Sequence, residues 1–295
     1  MPVIYGNMNV DERYAASFEP NLYHEAWMIP GVTYTDKYTR GPAGGFQVHK
    51  YKKATAITPG TPGRDFTHEL AEDELISIVL NNNFMKSRKL YGVAINAIEA
   101  PAAEELMADT TGLAKESING SGLAALITEA TVLDDTTAIT EQNVKSILLG
   151  ARTELSSKAA SSAKVVLASP ATYTAFLEAA NIPGGRTETI QGTGVIRDWY
   201  GFTIIEASQL GAGAALTYKD YSGTTRTVSA TDLAKVDFIV YDYNAFSALT
   251  NLEVFRLIDG GKDFNGVLSQ VEVNMGYRVT NPDLVYVHKT ATATT

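Results

Sequence analysis

The spacing with the most potential for covalent chemistry is Ser161-Ser162-Ala163-Lys164, a Ser-x-x-Lys match. In acyl-transfer enzymes that spacing sets a lysine beside a nucleophilic serine, together with Ser-Asp-Asn and Lys-Thr-Gly elements. Neither of those elements occurs in this chain, and the match falls in a serine-rich turn between an expected helix and an expected strand. The four histidines, His24, His49, His68 and His288, show no metal-ligand spacing, and each is expected to be exposed or at an interface. The absence of cysteine excludes disulfides, thiolate metal sites and thiol catalysis. Gly192-Thr193-Gly194 lacks the third glycine and the strand–turn–helix frame of a dinucleotide site. Glu104-Glu105 and Asp134-Asp135 are sequence neighbours that do not face each other and are expected to be solvated. Asp259-Gly260-Gly261-Lys262-Asp263 is expected to be a polar turn. No catalytic, cofactor or metal site follows from these residues, and an enzyme is not expected.

Charge is distributed more tellingly. Residues 37–64 carry six cations (Lys37, Arg40, Lys50, Lys52, Lys53, Arg64) and no carboxylate. Asp65, Glu69, Glu72, Asp73 and Glu74 then follow without a cation. Two readings fit: the arms of one hairpin neutralise each other, or the charges meet another subunit. On the second reading Lys50, Lys52, Lys53, Arg64, Glu69, Glu72, Asp73 and Glu74 are contact residues. Tyr14, Phe18 and Trp27 join them from the irregular, aromatic-bearing stretch 1–30, read as an arm because disordered tails are poor in aromatics.

Those residues need a frame. Val32, Tyr34 and Tyr38, then Phe46 and Val48, follow a period of two, broken at Gly41–Gly45 and Thr58–Gly63 and followed by the apolar run Ile76 to Leu80. This is an extended hairpin with too little apolar surface for a core of its own. Pro101 and the following Ala-Ala-Glu-Glu suit a first helical turn, and Leu106, Leu113, Ala114 and Ile118 continue its stripe. Asn119-Gly120-Ser121-Gly122 is expected to stop that helix, with a short helix from about Leu123 to Ala130 after it. From 138 onward the pattern is α/β. Thr140 is a candidate N-cap for a helix with Val144, Ile147, Leu148, Ala151 and Leu155 on one face. Lys164 to Ala168 is a strand, Ser169-Pro170 opens a second helix, and Phe202 to Glu206 and Val236 to Tyr241 are strands. Val267 to Val279 alternates as a long strand, and Leu284 to Val287 closes the chain.

With 45% hydrophobic and 19% charged residues, the 295-residue chain is that of a folded protein. The first residues lack the pattern of a signal peptide, and no run reaches the ~18 apolar residues of a membrane span. A net charge of −9 argues against a broad phosphate-binding surface and is shared with many ordinary soluble proteins.

The order of these parts resembles the HK97-type capsid fold of tailed phages. Val165-Val166-Leu167-Ala168-Ser169-Pro170 with Tyr173-Thr174-Ala175-Phe176-Leu177 is similar to the family's strand, Ser-Pro turn and helix. Val195 to Ser208 resembles its Gly-Phe-x-Val-Ile segment, and Val271 to Val287 its terminal strands. The resemblance implies an α+β fold: an N-terminal arm (1–30), an E-loop hairpin (31–80), a P-domain with a spine helix (81–137), an α/β A-domain (138–266), and strands returning to the P-domain (267–295). It implies a major capsid protein that self-assembles, through hexamers and pentamers, into an icosahedral container for double-stranded DNA, found in the virion and assembled in the host cytoplasm. Implied partners are further copies of the chain, a separate scaffolding protein, a portal and a decoration protein, with no membrane and no sequence-specific DNA contact. Two other readings stay open at this point: an encapsulin-like nanocompartment, and a small-molecule α/β hydrolase or binding protein.

Overall fold

The computed structural model describes residues 27–35, 45–51, 70, 72–91, 102–158, 163–180, 190–191, 195–211, 213–259 and 266–290. Strands β1 (Gly45–Tyr51) and β2 (Asp73–Val79) form an antiparallel two-stranded ribbon, with Lys50 opposite Glu74 and Tyr51 opposite Asp73. After a short turn the chain enters β3 (Asn82–Tyr91), which belongs to a different sheet.

Helix α1 (Ala102–Glu129) is 28 residues long and runs straight through Asn119-Gly120-Ser121-Gly122, correcting the expected stop. Glycine within a helix costs about 0.5–1 kcal/mol relative to alanine. Here the two glycines allow close approach. A Cβ on Gly122 would lie 2.8 Å from Met28 Sδ, and one on Gly120 would lie 3.1 Å from Leu216 Cδ2. The polar pair between them binds the same neighbours. Met28 N–H donates to Asn119 Oδ1 at 3.2 Å, and Ser121 Oγ donates to the Thr217 carbonyl at 2.8 Å. Local stop signals therefore mark a packing notch. Leu123 to Ile127 are all buried, because this end of α1 is enclosed on every side.

A second unit follows. β4 (Thr131–Val132) precedes α2 (Val144–Ser157), β5 (Lys164–Ala168), α3 (Pro170–Ala180), β6 (Ile190–Gln191), β7 (Val195–Trp199) and β8 (Phe202–Glu206). The hairpin of β9 (Leu216–Lys219) and β10 (Thr225–Val228), the short α4 (Ala230–Leu233) and β11 (Val236–Asp242) come next. The expected face of α2 is the buried one. Its helix begins at Val144 rather than just after Thr140. Thr140 N–H donates to Asn143 Oδ1 at 2.7 Å and Asn143 N–H returns to Thr140 Oγ1 at 3.4 Å, a reciprocal capping turn. At α3, Ser169 Oγ accepts from Thr172 N–H at 3.4 Å, as the Ser-Pro signal predicts.

The last strands are β12 (Phe246–Asp259), β13 (Gly266–Val279) and β14 (Val285–Lys289). The large sheet is ordered β4-β14-β11-β5-β8-β7-β6, and the small one β12-β13-β3. All five residues of β5 are buried, which explains its unbroken apolar run. One continuous core joins the two sheets through α1, with a satellite of Ile78, Leu80 and Leu249.

His288 departs from the sequence expectation. It is fully buried on β14, with Nδ1 2.9 Å from Asp237 Oδ2 and its ring stacked on Phe238 at 5.0 Å. The strand pairing of β14 with β11 sets Phe238 opposite His288 and draws the imidazole into the core. The other three histidine side chains lie outside the described residues.

Candidate contact surfaces

The β1–β2 ribbon is held at its base by three features of its own chain. Gly276 on β13 leaves room for the backbone of β2, since a Cβ there would sit 2.5 Å from the Val79 carbonyl oxygen. Ile78 and Leu80 pack on Leu249, which lies opposite Gly276 in the β12–β13 register. At the start of β3, Asn82 acts like an added strand residue toward β9. Its Nδ2 donates to the Lys219 carbonyl at 3.0 Å, and its Oδ1 accepts from Lys219 N–H at 2.7 Å. Asn81 Nδ2 adds a bond to the Asp220 carbonyl. Beyond this base the ribbon has no third strand among the described residues, and two strands alone are marginal in water.

The sequence-predicted contact residues divide as follows. Glu72 and Glu74 are exposed. Lys50 and Asp73 occupy register positions on the ribbon, and the pairing of Lys50 with Glu74 puts opposite charges across its own strands. Lys52, Lys53, Arg64, Glu69, Tyr14 and Phe18 lie outside the described residues. Trp27 is a correction. It is 1% exposed and stacks on Phe246, with centroids 6.3 Å apart, so its surface is consumed within its own chain. The segment 27–35 is tied down by Thr35 N–H to the Phe246 carbonyl at 3.0 Å and by the Tyr241 hydroxyl to the Thr33 carbonyl at 2.8 Å.

The small sheet has two unlike faces. Helix α1 covers one: Arg88 pairs with Asp109, Ser269 Oγ approaches Met107 Sδ, and the Tyr277 hydroxyl donates to the Ile118 carbonyl. The opposite face is covered at its Gly276 end by β2. Further along, the cross-strand registers set out three rows, Met85–Glu272–Val254, Ser87–Gln270–Arg256 and Lys89–Leu268–Ile258. Met85 is 66% exposed and Ile258 is exposed, and the first two rows line a shallow depression with Gln270 and Glu272 on its central strand.

A buried charge cluster joins the end of α1 to the β9–β10 hairpin. Glu129 accepts from Val279 N–H at 3.3 Å and from the Tyr218 hydroxyl at 3.4 Å, with Arg278 at 3.9 Å. Burial raises the Glu129 carboxyl above its ordinary value, and Arg278 offsets this in part. Asp220 moves the other way, to about 2, held by the Ser222 side chain, by Arg226 and by the Thr224 and Ser222 amides. Among the described residues no group of histidine and carboxylate side chains could hold a metal ion. No described helix is long and apolar enough to cross a membrane.

Sequence reasoning missed β3, β12 and the β9–β10 hairpin. In β12 a register shift between Thr250 and Leu252 flips the parity, which breaks the alternation that would have revealed the strand.

No protein-family model matches the sequence, and no curated protein matches it. The fold does match solved structures. The capsid structure of the cyanophage P-SCSP1u superposes with a TM-score of 0.69 at 12% identity, covering 96% of this chain and 93% of that one. The mature capsid of bacteriophage PhiM1 gives 0.64 at 13% identity over 95% and 91%. The capsid of an empty GTA particle gives 0.64 at 11% identity, with 98% of each chain covered. The class of fold is thus that of phage capsid proteins. More particularly, this mixed helix-and-strand chain has the HK97-type capsid fold.

Proposed function

We propose that this chain is a major capsid protein, the shell subunit of a tailed-phage type of head, which assembles with copies of itself into an icosahedral container for double-stranded DNA. The observation that carries the reading is the extent of the fold match: nearly the whole of this chain and nearly the whole of each capsid chain superpose, including the part before residue 100 that a free-standing α/β enzyme would not need. On this reading β1–β2 belongs to an E-loop that reaches a neighbouring subunit, α1 is the spine helix of a P-domain, the α/β unit from 138 is the A-domain, and residues 1–30 are the N-terminal arm. The subunits group as hexamers and pentamers, with a scaffolding protein, a portal and a decoration protein as further partners. The assembled protein resides in the virion, and assembly takes place in the host cytoplasm. The net charge of −9 suits an enclosing wall that does not grip DNA sequence-specifically.

Negative-stain imaging of the purified protein tests this directly. Closed particles of uniform diameter are expected, and nuclease-protected DNA inside native particles separates a genome container from a protein-filled compartment. A strictly monomeric mass at every concentration, with no particles in the presence or absence of a scaffolding protein, would overturn the proposal.

A further inference from the structure

We infer that the β9–β10 hairpin is a proton-operated clasp, which holds the end of α1 and the base of the β1–β2 ribbon together while Glu129 keeps its proton and loosens when that carboxyl ionises. The device lies within one subunit and is independent of whether subunits form a shell.

The hairpin belongs by sequence to the α/β unit, yet each residue from Leu216 to Tyr221 meets a group outside that unit. Leu216 fills the notch at Gly120, and the Thr217 carbonyl accepts from Ser121 Oγ at 2.8 Å. The Tyr218 hydroxyl donates to Glu129 Oε1 at 3.4 Å. Lys219 exchanges bonds in both directions with the Asn82 side chain, and the Asp220 carbonyl accepts from Asn81 Nδ2. The Arg278 guanidinium lies over the Tyr221 ring, 4.0 Å from its centre. Among the described strands β9 pairs only with β10, and a lone two-stranded hairpin is marginal, so these contacts decide its seating. Asn81 and Asn82 stand where β2 passes into β3, so the hairpin that they grip also holds the stance of the ribbon. Glu129 is the group of this set poised to change charge. Facing it are Arg278 on β13 at 3.9 Å, Tyr218 on β9, and Asp220 in the hairpin turn, which Arg226 on β10 holds at 2.9 Å. Burial is the largest influence and raises Glu129; Arg278, the Val279 amide and Tyr218 pull it down, and Asp220 raises it further. Burial and the adjacent Glu129 also raise the Tyr218 phenol, which therefore stays a donor, while Asp220, held at about 2 by the Ser222 side chain and Arg226, stays charged. Arg278 is shared between Glu129 and the Tyr221 ring, with its Nε buried and without a hydrogen-bond partner, and it does not fully offset the desolvated carboxylate. Opening the hairpin returns Glu129 to water, so the closed clasp binds the proton more tightly than the open one. Closure is favoured below the ordinary carboxyl value and loses that advantage as pH rises through the raised one.

Hydrogen exchange of the full-length protein at pH 4 and pH 8, corrected for the intrinsic rate at each pH, tests the clasp. Protection of the amides of residues 216–221 and 79–83 should fall together by roughly tenfold from pH 4 to pH 8, while that of the buried strand β5 holds constant. Glu129→Gln should keep both segments at pH 8 as protected as the parent is at pH 4. Asn82→Ala should leave the fall at 216–221 in place and make residues 79–83 equally unprotected at both pH values, because the link to the ribbon is cut. β5 reports in each variant that the fold is intact, and the parent measurement stands without any variant. Equal parent protection of 216–221 at both pH values overturns the proposal. So does a fall of the same size in β5, which makes the change global, and so does a Glu129→Gln protein that retains the parent's dependence, which places the titrating group elsewhere. Residues 79–83 that still follow pH in Asn82→Ala overturn the coupling of hairpin to ribbon.

Discussion

Gly276 and Val79 meet so closely that a Cβ on the glycine would lie 2.5 Å from the valine carbonyl oxygen, so the base of the β1–β2 ribbon rests on the backbone of β13. Gly276→Ala must lift β2 or bend β13, because the obstacle is backbone and cannot rotate away. Overpacking of this kind costs about 1–3 kcal/mol. Particle yield should fall severely, while the far-UV circular dichroism of the subunit stays close to that of the parent. Normal particle yield would show that the seating of the ribbon is irrelevant to assembly.

The notch in α1 offers a second test. Gly122→Leu fills the space that Met28, Trp27 and Tyr277 occupy around it. In a Trp199→Phe background Trp27 is the sole indole, since the chain has two tryptophans. Its emission should shift to the red as segment 27–35 detaches. Trp27→Ala should lower stability by about 3–5 kcal/mol, the range for truncating a buried aromatic. Deleting residues 1–26 should leave thermal stability nearly unchanged, because the side chain that anchors this end is retained. A large loss on that deletion would mean that the fold depends on the residues before Trp27.

The ribbon register makes a charge prediction. Lys50→Glu sets two carboxylates across from each other at the Lys50–Glu74 pair, where cross-strand pairs contribute roughly 0.2–1 kcal/mol. The double variant Lys50→Glu with Glu74→Lys should recover particle yield within one chain. If recovery requires the second change on a different copy, as mixed assembly of single variants would reveal, the charges meet between subunits instead.

Glu129 predicts a pH dependence. Its carboxyl is raised by burial in the folded chain, so the native state holds the proton more tightly than the unfolded state does. Its contribution is most favourable below the unfolded carboxyl value and declines as pH rises through the interval up to the folded one. Glu129→Gln mimics the protonated form and should raise Tm at pH 8 with little change at pH 4. Asp220 works in the opposite sense. Its stabilisation is present above the ordinary carboxylate value of ~3.9 and is lost as pH falls toward about 2. Asp220→Asn should therefore lower Tm at pH 7 and converge with the parent in strong acid. Equal Tm differences at both pH values for either variant would assign the effect to packing alone.

Local signals were legible where one element decides its own form. The face of α2, the Ser169-Pro170 start of α3, the buried run of β5 and the alternation of β13 all follow from side-chain periodicity and capping chemistry, which act within a few residues. The pattern of charge from 37 to 74 left two readings open, within one hairpin or between subunits, and the register sets Lys50 opposite Glu74 on the chain's own ribbon. Tertiary structure decided what depends on distant partners. Asn119-Gly120-Ser121-Gly122 carries every local sign of a helix end, yet the helix continues, because packing against Met28, Leu216 and Tyr277 outweighs a glycine cost of about 1 kcal/mol per residue. His288 and Trp27 lie inside because strand pairing and the Phe246 ring draw them there, contacts 50 to more than 200 residues away in sequence. The sequence by itself determined the locally encoded elements, among them α2, α3, β5 and β13. Which glycine, which tryptophan and which strand face meet was settled only when residues far apart in the chain competed for the same space.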